Sequence, residues 1–255
     1  MRILISNDDG ILAPGIAALH AAVADMGEIS VVAPDGCQSA SAHAITLRTP
    51  MAVERVEAGG FSGTRVGGRP ADCVRLAIRE LMDERPDLVL TGINDSSNVG
   101  VNLFYSGTVA GAAEAAMMGI PAVAFSAASQ DRKPDFPRAA ALCRKVLDHL
   151  MAVGMAPGEL TNVNIPDLTV HDRPVGVSVV HQSDGEIHDN YMRQIEADGR
   201  ETWRLSDNYS YGPNHHADSD VGCLREGNIT ITSLKVDMTK YDRLAELAAL
   251  DWSDI

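Results

Sequence analysis

Two neighbouring carboxylates, Asp8 and Asp9, come directly after the short apolar run Met1–Ser6 and Asn7, and precede Gly10. Adjacent carboxylates repel each other unless a cation lies between or above them. A hard divalent ion such as Mg²⁺ or Mn²⁺ takes oxygen ligands, often one or two carboxylates, and keeps waters that a substrate can displace. The plainer reading is a solvated turn in which an Asp caps the next helix. The loop Pro34–His43 adds Ser39, whose neutral oxygen could complete a mixed carboxylate–hydroxyl set, or whose hydroxyl could simply bond its own backbone. Asp35 and His43 are the other titratable groups there, but no H-x-H, H-E-x-x-H or Cys/His cluster accompanies them, which argues against zinc.

The stretch Thr91–Thr108 carries the most information. Asn94 stands three residues past a strand-like run, where its amide oxygen can reach the same cation as Asp8 and Asp9. Ser106-Gly107-Thr108 opens an alanine-rich helical run, and free N–H groups at a helix start, with the positive end of its dipole, form an anion pocket. Asn98 adds an amide suited to phosphate oxygens. Capping of the helix by Ser106 or Thr108 is the competing reading and is compatible with the first. Neither G-x-x-x-x-G-K-[ST] nor G-x-G-x-x-G after the first strand occurs, so triphosphate motors and nicotinamide enzymes fit poorly.

The elements that must position these groups alternate along the first half. Strands are expected at Ile3–Ile5, Ile29–Ala33, Asp87–Thr91 and Pro121–Phe125, helices at Pro14–Met26, Pro70–Met82 and Thr108–Met118, and a hairpin at Met51–Val56 with Phe61–Val66. That order calls for an α/β fold, a Rossmann-like, mostly parallel sheet with helices on both faces. Such sheets bind ligands at the carboxyl ends of their strands, where Asp8-Asp9, the Ser39 loop and Asn94 fall. Further on, a helix over Arg138–Met151 and strands at Asn162–Ile165, Val175–Val180, Thr202–Leu205 and Asn228–Ile231 are expected, with a terminal helix over Tyr241–Ala249. The polar stretch His181–His216 reads as an extended hairpin, a subunit-exchange arm or a lid. The chain divides into a core over about 1–180 and an extension over about 181–255 of one domain.

Composition narrows the partners. With 21 Lys+Arg against 35 Asp+Glu the net charge is −14, and no basic stripe is present to neutralise a nucleic-acid polymer. Aromatic residues are 4% of the chain, too few for a stacking platform along single strands. No apolar run is long enough to cross a membrane and no secretory signal is visible. Four dispersed cysteines, Cys37, Cys73, Cys143 and Cys223, fit a reduced, cytoplasmic chain.

Several motifs in one order resemble the SurE survival-protein family: Asn7-Asp8-Asp9-Gly10 with Ala13-Pro14-Gly15, Val32-Ala33-Pro34-Asp35, the Ser39 loop, Pro70-Ala71-Asp72-Cys73-Val74, Gly92-Ile93-Asn94, Tyr105-Ser106-Gly107-Thr108-Val109, Asn162–Pro166 and Leu224–Gly227. The resemblance implies a metal-dependent 5'-nucleotidase that hydrolyses nucleoside 5'-monophosphates, with 3'-monophosphates as further candidates. It implies one Mg²⁺ or Mn²⁺ per subunit on Asp8, Asp9, Ser39 and Asn94, and phosphate contacts from Asn98, Ser106, Gly107 and Thr108. It also implies homodimers or homotetramers built partly through the C-terminal hairpin and helix. The chain departs from the family pattern at Ser96, where Gly is usual, at Asn102, where an acid is frequent, and at Arg69, where Thr is usual.

Asp8 or Asp9 is expected to accept the proton of the attacking water. A dehalogenase-type phosphatase would require Asp-x-Asp in place of Asp8-Asp9-Gly10, and a non-catalytic nucleotide or phosphate sensor on the same fold is the alternative from another class.

Overall fold

The computed structural model describes residues 1–129, 133–185, 187–206, 210–211 and 216–253. The strands are β1 (Arg2–Ser6), β2 (Glu28–Pro34), β3 (Val53–Ala58), β4 (Phe61–Val66), β5 (Leu88–Asn94), β6 (Ala122–Ala127), β7 (Leu160–Ile165), β8 (Val177–Val179), β9 (Ile187–His188), β10 (Tyr191–Ile195), β11 (Glu201–Leu205), β12 (Ser210–Tyr211) and β13 (Ile229–Leu234). The helices are α1 (Pro14–Val23), α2 (Pro70–Leu76), α3 (Gly107–Met117), α4 (Phe136–Val153), α5 (Asp220–Arg225) and α6 (Tyr241–Ala248).

Nine strands form one sheet in the order β3-β4-β2-β1-β5-β6-β7-β13-β8. All neighbours run parallel except the pairs β3–β4 and β7–β13. Strands β5, β6 and β7 are buried along their whole length, as apolar parallel strands covered on both faces must be. Alternate residues serve opposite faces. Ile3, Ile5, Leu88, Leu90, Val123 and Phe125 pack with α1 and α4, whereas Leu4, Val89, Ala122 and Ala124 pack with α2 and α3. Large apolar side chains buried this way each contribute about 1.5–3 kcal/mol.

From β1 the chain first builds outward through β2, and after returning it builds the other way through β5, β6 and β7. The crevice between the carboxyl ends of β1 and β5 is therefore the topological switch point, the usual ligand position in open α/β sheets. Asp8 follows β1, and Asn94 ends β5.

Two expectations change in detail. The helix expected over Pro70–Met82 is α-helical only to Leu76 and then widens into a π-turn over Ala77–Leu81, where the N–H of Met82 bonds the carbonyl of Ala77. Within His181–His216, β10 and β11 form an antiparallel hairpin turning at Asp198-Gly199, while residues 186, 207–209 and 212–215 lie outside the described set.

Candidate active site

Asp8 leaves β1 at the carboxyl edge of the sheet and is 5% exposed. Its carbonyl accepts from the N–H of Gln38 at 2.7 Å, tying the β1 end to the serine loop. Its carboxylate lies on the first turn of α3, where Oδ1 accepts the Thr108 hydroxyl and the Thr108 N–H also reaches the carboxylate. Gly107 permits this approach. A Cβ at 107 would stand 2.7 Å from Asp8 Cβ, 3.0 Å from Asp8 Oδ2 and 2.9 Å from Ser41 Oγ, inside van der Waals contact with all three.

Asn94 is placed by a bulge. The register of β5 against β6 shifts between Thr91 and Asn94, and Gly92 at the shift has φ +118° with no room for a side chain. The amide of Asn94 donates from Nδ2 to the carbonyl of Ser96 at 2.7 Å and to its hydroxyl at 3.1 Å. Its Oδ1 is left without a hydrogen-bond partner among the described residues and is the end available to a cation. Ser39 sits exposed in the loop after β2, its hydroxyl 3.0 Å from Cys37 Sγ.

Asp8, Ser39, Asn94, Asn98 and Ser106 line one cavity of about 620 Å³. Asp9 lines an adjoining cavity of about 400 Å³ together with Asp35 and Lys133, and Asp95 borders both. Burial holds the Asp8 carboxyl above its ordinary range, outweighing the Thr108 hydrogen bond that favours the charged form. Asp9 is pushed up to about 7, first by burial and then by the charges of Asp8 and Asp95. Among the described residues no three His, Cys, Asp or Glu side chains form a group that could hold a metal ion by themselves. A cation here would thus draw on amide and hydroxyl oxygens beside the carboxylates. Asp8, Asn94 Oδ1 and Ser39 are such a hard-oxygen set, and they suit Mg²⁺ or Mn²⁺ better than a soft metal.

The anion side is built on α3. Ser106 is its N-cap, with Oγ accepting from the N–H of Val109 at 3.1 Å. Asn98 is 7% exposed and held on every side. Its N–H donates to Asn164 Oδ1 at 2.8 Å, its carbonyl accepts from Asn162 and Asn164, and its own Nδ2 donates to Ser126 at 2.8 Å. The Ser39 loop is pinned as firmly. The N–H of Ala42 bonds the carbonyl of Tyr105, His43 Nε2 lies 2.8 Å from Glu114 Oε2 on α3, and Thr46 donates through its N–H and hydroxyl to Asp72 on α2.

The SurE family profile, described as "Survival protein SurE", matches residues 3–189 of this chain. The chain belongs to the SurE family. It is 41% identical to the 5'-nucleotidase SurE of Desulfatibacillum aliphaticivorans, over 97% of each chain. It is 38% identical to that of Desulforudis audaxviator over 99% of each, and 38% identical to the 5'-nucleotidase SurE 1 of Thermus thermophilus over 98% of each. The crystal structure of the SurE protein from Aquifex aeolicus superimposes with a TM-score of 0.82 at 32% identity, covering 97% of this chain and 98% of that one.

Against the SurE pattern, the departure at Ser96 has a visible role, since its carbonyl and hydroxyl orient Asn94. Asn102 lines the larger cavity, and Arg69 donates its backbone N–H to Asp72 at 2.9 Å. Several neighbours were not evident from the sequence. Asp95 adds negative charge between the two cavities. Asp220, fully buried, accepts from the N–H groups of Gly100, Ser183 and Val221, joining the loop before α3 to the root of the hairpin. A carboxylate following a strand-ending Asn was the available signal for Asp95, whereas the helix that Asp220 opens was not among those expected.

Proposed function

We propose that the protein is a metal-dependent phosphomonoesterase that hydrolyses nucleoside 5'-monophosphates, with 3'-monophosphates as further substrates. The observation that carries this reading is the position of Asp8. It shares one cavity with Asn94 and Ser39 and is also fixed to the amino end of α3 by Thr108. Cation ligands and a helix start therefore address the same point, and the full-length relatives are named 5'-nucleotidases.

Asp8, Asn94 Oδ1 and Ser39 would hold one Mg²⁺ or Mn²⁺, with Asp9 completing the acidic side. When bound, the ion polarises a phosphoryl oxygen and lowers the pKa of a water. The chain's own groups then do the rest. The Ser106 hydroxyl, the Gly107 N–H and Asn98 face the equatorial oxygens, and the dipole of α3 favours the charge that grows there. Thr108 acts through Asp8, which takes both its hydroxyl and its N–H. Asp8 or Asp9 would accept the water's proton.

The reading extends to a homodimer or homotetramer of single-domain subunits, supported by α6, which buries none of its residues and exposes Leu244 and Leu247. A reduced, cytoplasmic setting is supported by the free state of all four cysteines. No helix among the described residues is long and apolar enough to cross a membrane. No observation favours a sensor without turnover. A phosphate-release screen over nucleoside 5'- and 3'-monophosphates and short polyphosphate, with each divalent ion and with chelator, tests the function. Release from monophosphates that depends on Mg²⁺ or Mn²⁺ supports it, and no release, or release indifferent to chelator, overturns it.

A further inference from the structure

The cavity that holds Asp8, Ser39 and Asn94 is also lined by groups of different chemistry. These are Val101 and Tyr105 before α3, Ile187 of β9, and Tyr191 and Leu205 of the β10–β11 hairpin. Three of these are large apolar side chains left open to solvent: Tyr105 is 59% exposed, Tyr191 63% and Leu205 44%. Polar groups are interleaved with them, namely Ser97, Asn102 and Asp189. A flat, amphipathic, uncharged body would cover the apolar faces and satisfy the polar groups. An acyl chain would bring no hydrogen-bonding group to Ser97 or Asp189.

We propose that Tyr191 and Leu205, which line this cavity together with Val101 and Tyr105, form the wall that recognises the nucleoside, so that the β10–β11 arm sets substrate preference. This rests on the phosphomonoesterase reading and deepens it. Three observations carry it. The wall is continuous with the proposed phosphate end in one cavity of about 620 Å³, within the range of small-molecule sites. Tyr191 and Leu205 lie beyond residues 3–189, the span matched by the family profile, whereas every proposed cation and phosphate residue lies inside it. Val101, Tyr105 and Ile187 of the wall lie inside that span with the proposed cation and phosphate residues, and Tyr191 and Leu205 lie outside it. Finally, Asp95 and Asp189 line the same cavity in a chain of net charge −14. They repel any additional phosphate and leave room for a neutral nucleoside, which favours monophosphates over di- and triphosphates and over polyphosphate.

The test compares adenosine 5'-monophosphate with glycerol 2-phosphate, a phosphomonoester too small to reach the wall, in wild-type protein and in Tyr191→Ala, Leu205→Ala and Tyr191→Phe, all with Mn²⁺. The quantity read is the ratio of kcat/KM for the nucleotide to kcat/KM for glycerol 2-phosphate. The expected result is a fall of roughly ten-fold in Tyr191→Ala, the size of one lost base–aromatic stack. The fall should be carried by KM for the nucleotide, smaller in Leu205→Ala and absent in Tyr191→Phe. An unchanged ratio in both alanine variants, or equal losses on both substrates, overturns the proposal while leaving the hydrolase reading intact. Wild-type protein that releases phosphate from neither substrate overturns both.

Discussion

Gly107 and Asp8 are in contact across the switch point of the sheet: a Cβ built on Gly107 comes within 2.7 Å of Asp8 Cβ and 3.0 Å of its Oδ2. The first turn of α3 and the acidic end of β1 are packed as one unit, and the glycine exists at 107 because the carboxylate occupies the space. Gly107→Ala therefore displaces Asp8 without touching its charge. Misplacement of this kind costs on the order of 10²-fold in kcat/KM. The check is steady-state kinetics beside a thermal melt, where a large activity loss with a small change in Tm is expected.

The elevated carboxyl of Asp9 has consequences for stability and for cation binding. Its folded value of about 7 lies above the ordinary 3.8. The stabilising contribution of the protonated acid is complete below the unfolded value and is lost as pH rises through about 7. Metal-free Asp9→Asn should consequently gain more in Tm over wild type at about pH 8 than at about pH 5. Ligating carboxylates must be ionised, so Mn²⁺ affinity in wild type should rise between about pH 6 and pH 8, with proton release. Calorimetry in buffers of different ionisation enthalpy measures both.

Glu114, 1% exposed on α3, is held between His43 of the serine loop and Arg75 of α2. Arg75 comes to 2.7 Å from Oε1 without the alignment of a hydrogen bond, so His43 is the better-formed contact. Both partners are partly exposed and can be resolvated when freed. Glu114→Ala is expected to destabilise by about 1 kcal/mol, while His43→Ala, which leaves the buried Glu114 carboxylate without its better-formed contact, costs about 3 kcal/mol and loosens the loop that carries Ser39. Chemical denaturation gives the first two values, and a several-fold weaker Mn²⁺ affinity in His43→Ala reports the third.

Ser96 orients Asn94 through two acceptors, of which the carbonyl survives substitution. Ser96→Gly should weaken Mn²⁺ binding only a few-fold, whereas Asn94→Ala, which removes the oxygen donor itself, should weaken it 10- to 100-fold. Parallel Mn²⁺ titrations of the two variants separate these effects.

The sequence was most legible where burial imposes a pattern. Ile3–Ile5, Val31–Ala33 and Leu88–Leu90 read as strands because both faces of a parallel strand must be apolar, and once they are placed, Asp8 and Asn94 fall at their carboxyl ends. The side-chain partnerships were less legible. Ser106 and Thr108 look equivalent at a helix start, yet Ser106 caps α3 while Thr108 turns to Asp8, a choice made by a residue 100 positions away. The π-turn at Ala77–Leu81 leaves no signature in apolar spacing. The hairpin β10–β11 is exposed along most of both strands and so lacks the alternation that marks a half-buried strand, which left hairpin, arm and lid undistinguished.

The most direct test of the central claim is turnover by Asp8→Asn, which preserves shape but removes the charge facing α3. Inorganic phosphate released from adenosine 5'-monophosphate should be measured with saturating Mn²⁺, alongside Mn²⁺ affinity by calorimetry. The account predicts a loss of on the order of 10³-fold in kcat together with markedly weaker Mn²⁺ binding. Near-normal turnover with unchanged Mn²⁺ affinity would contradict it.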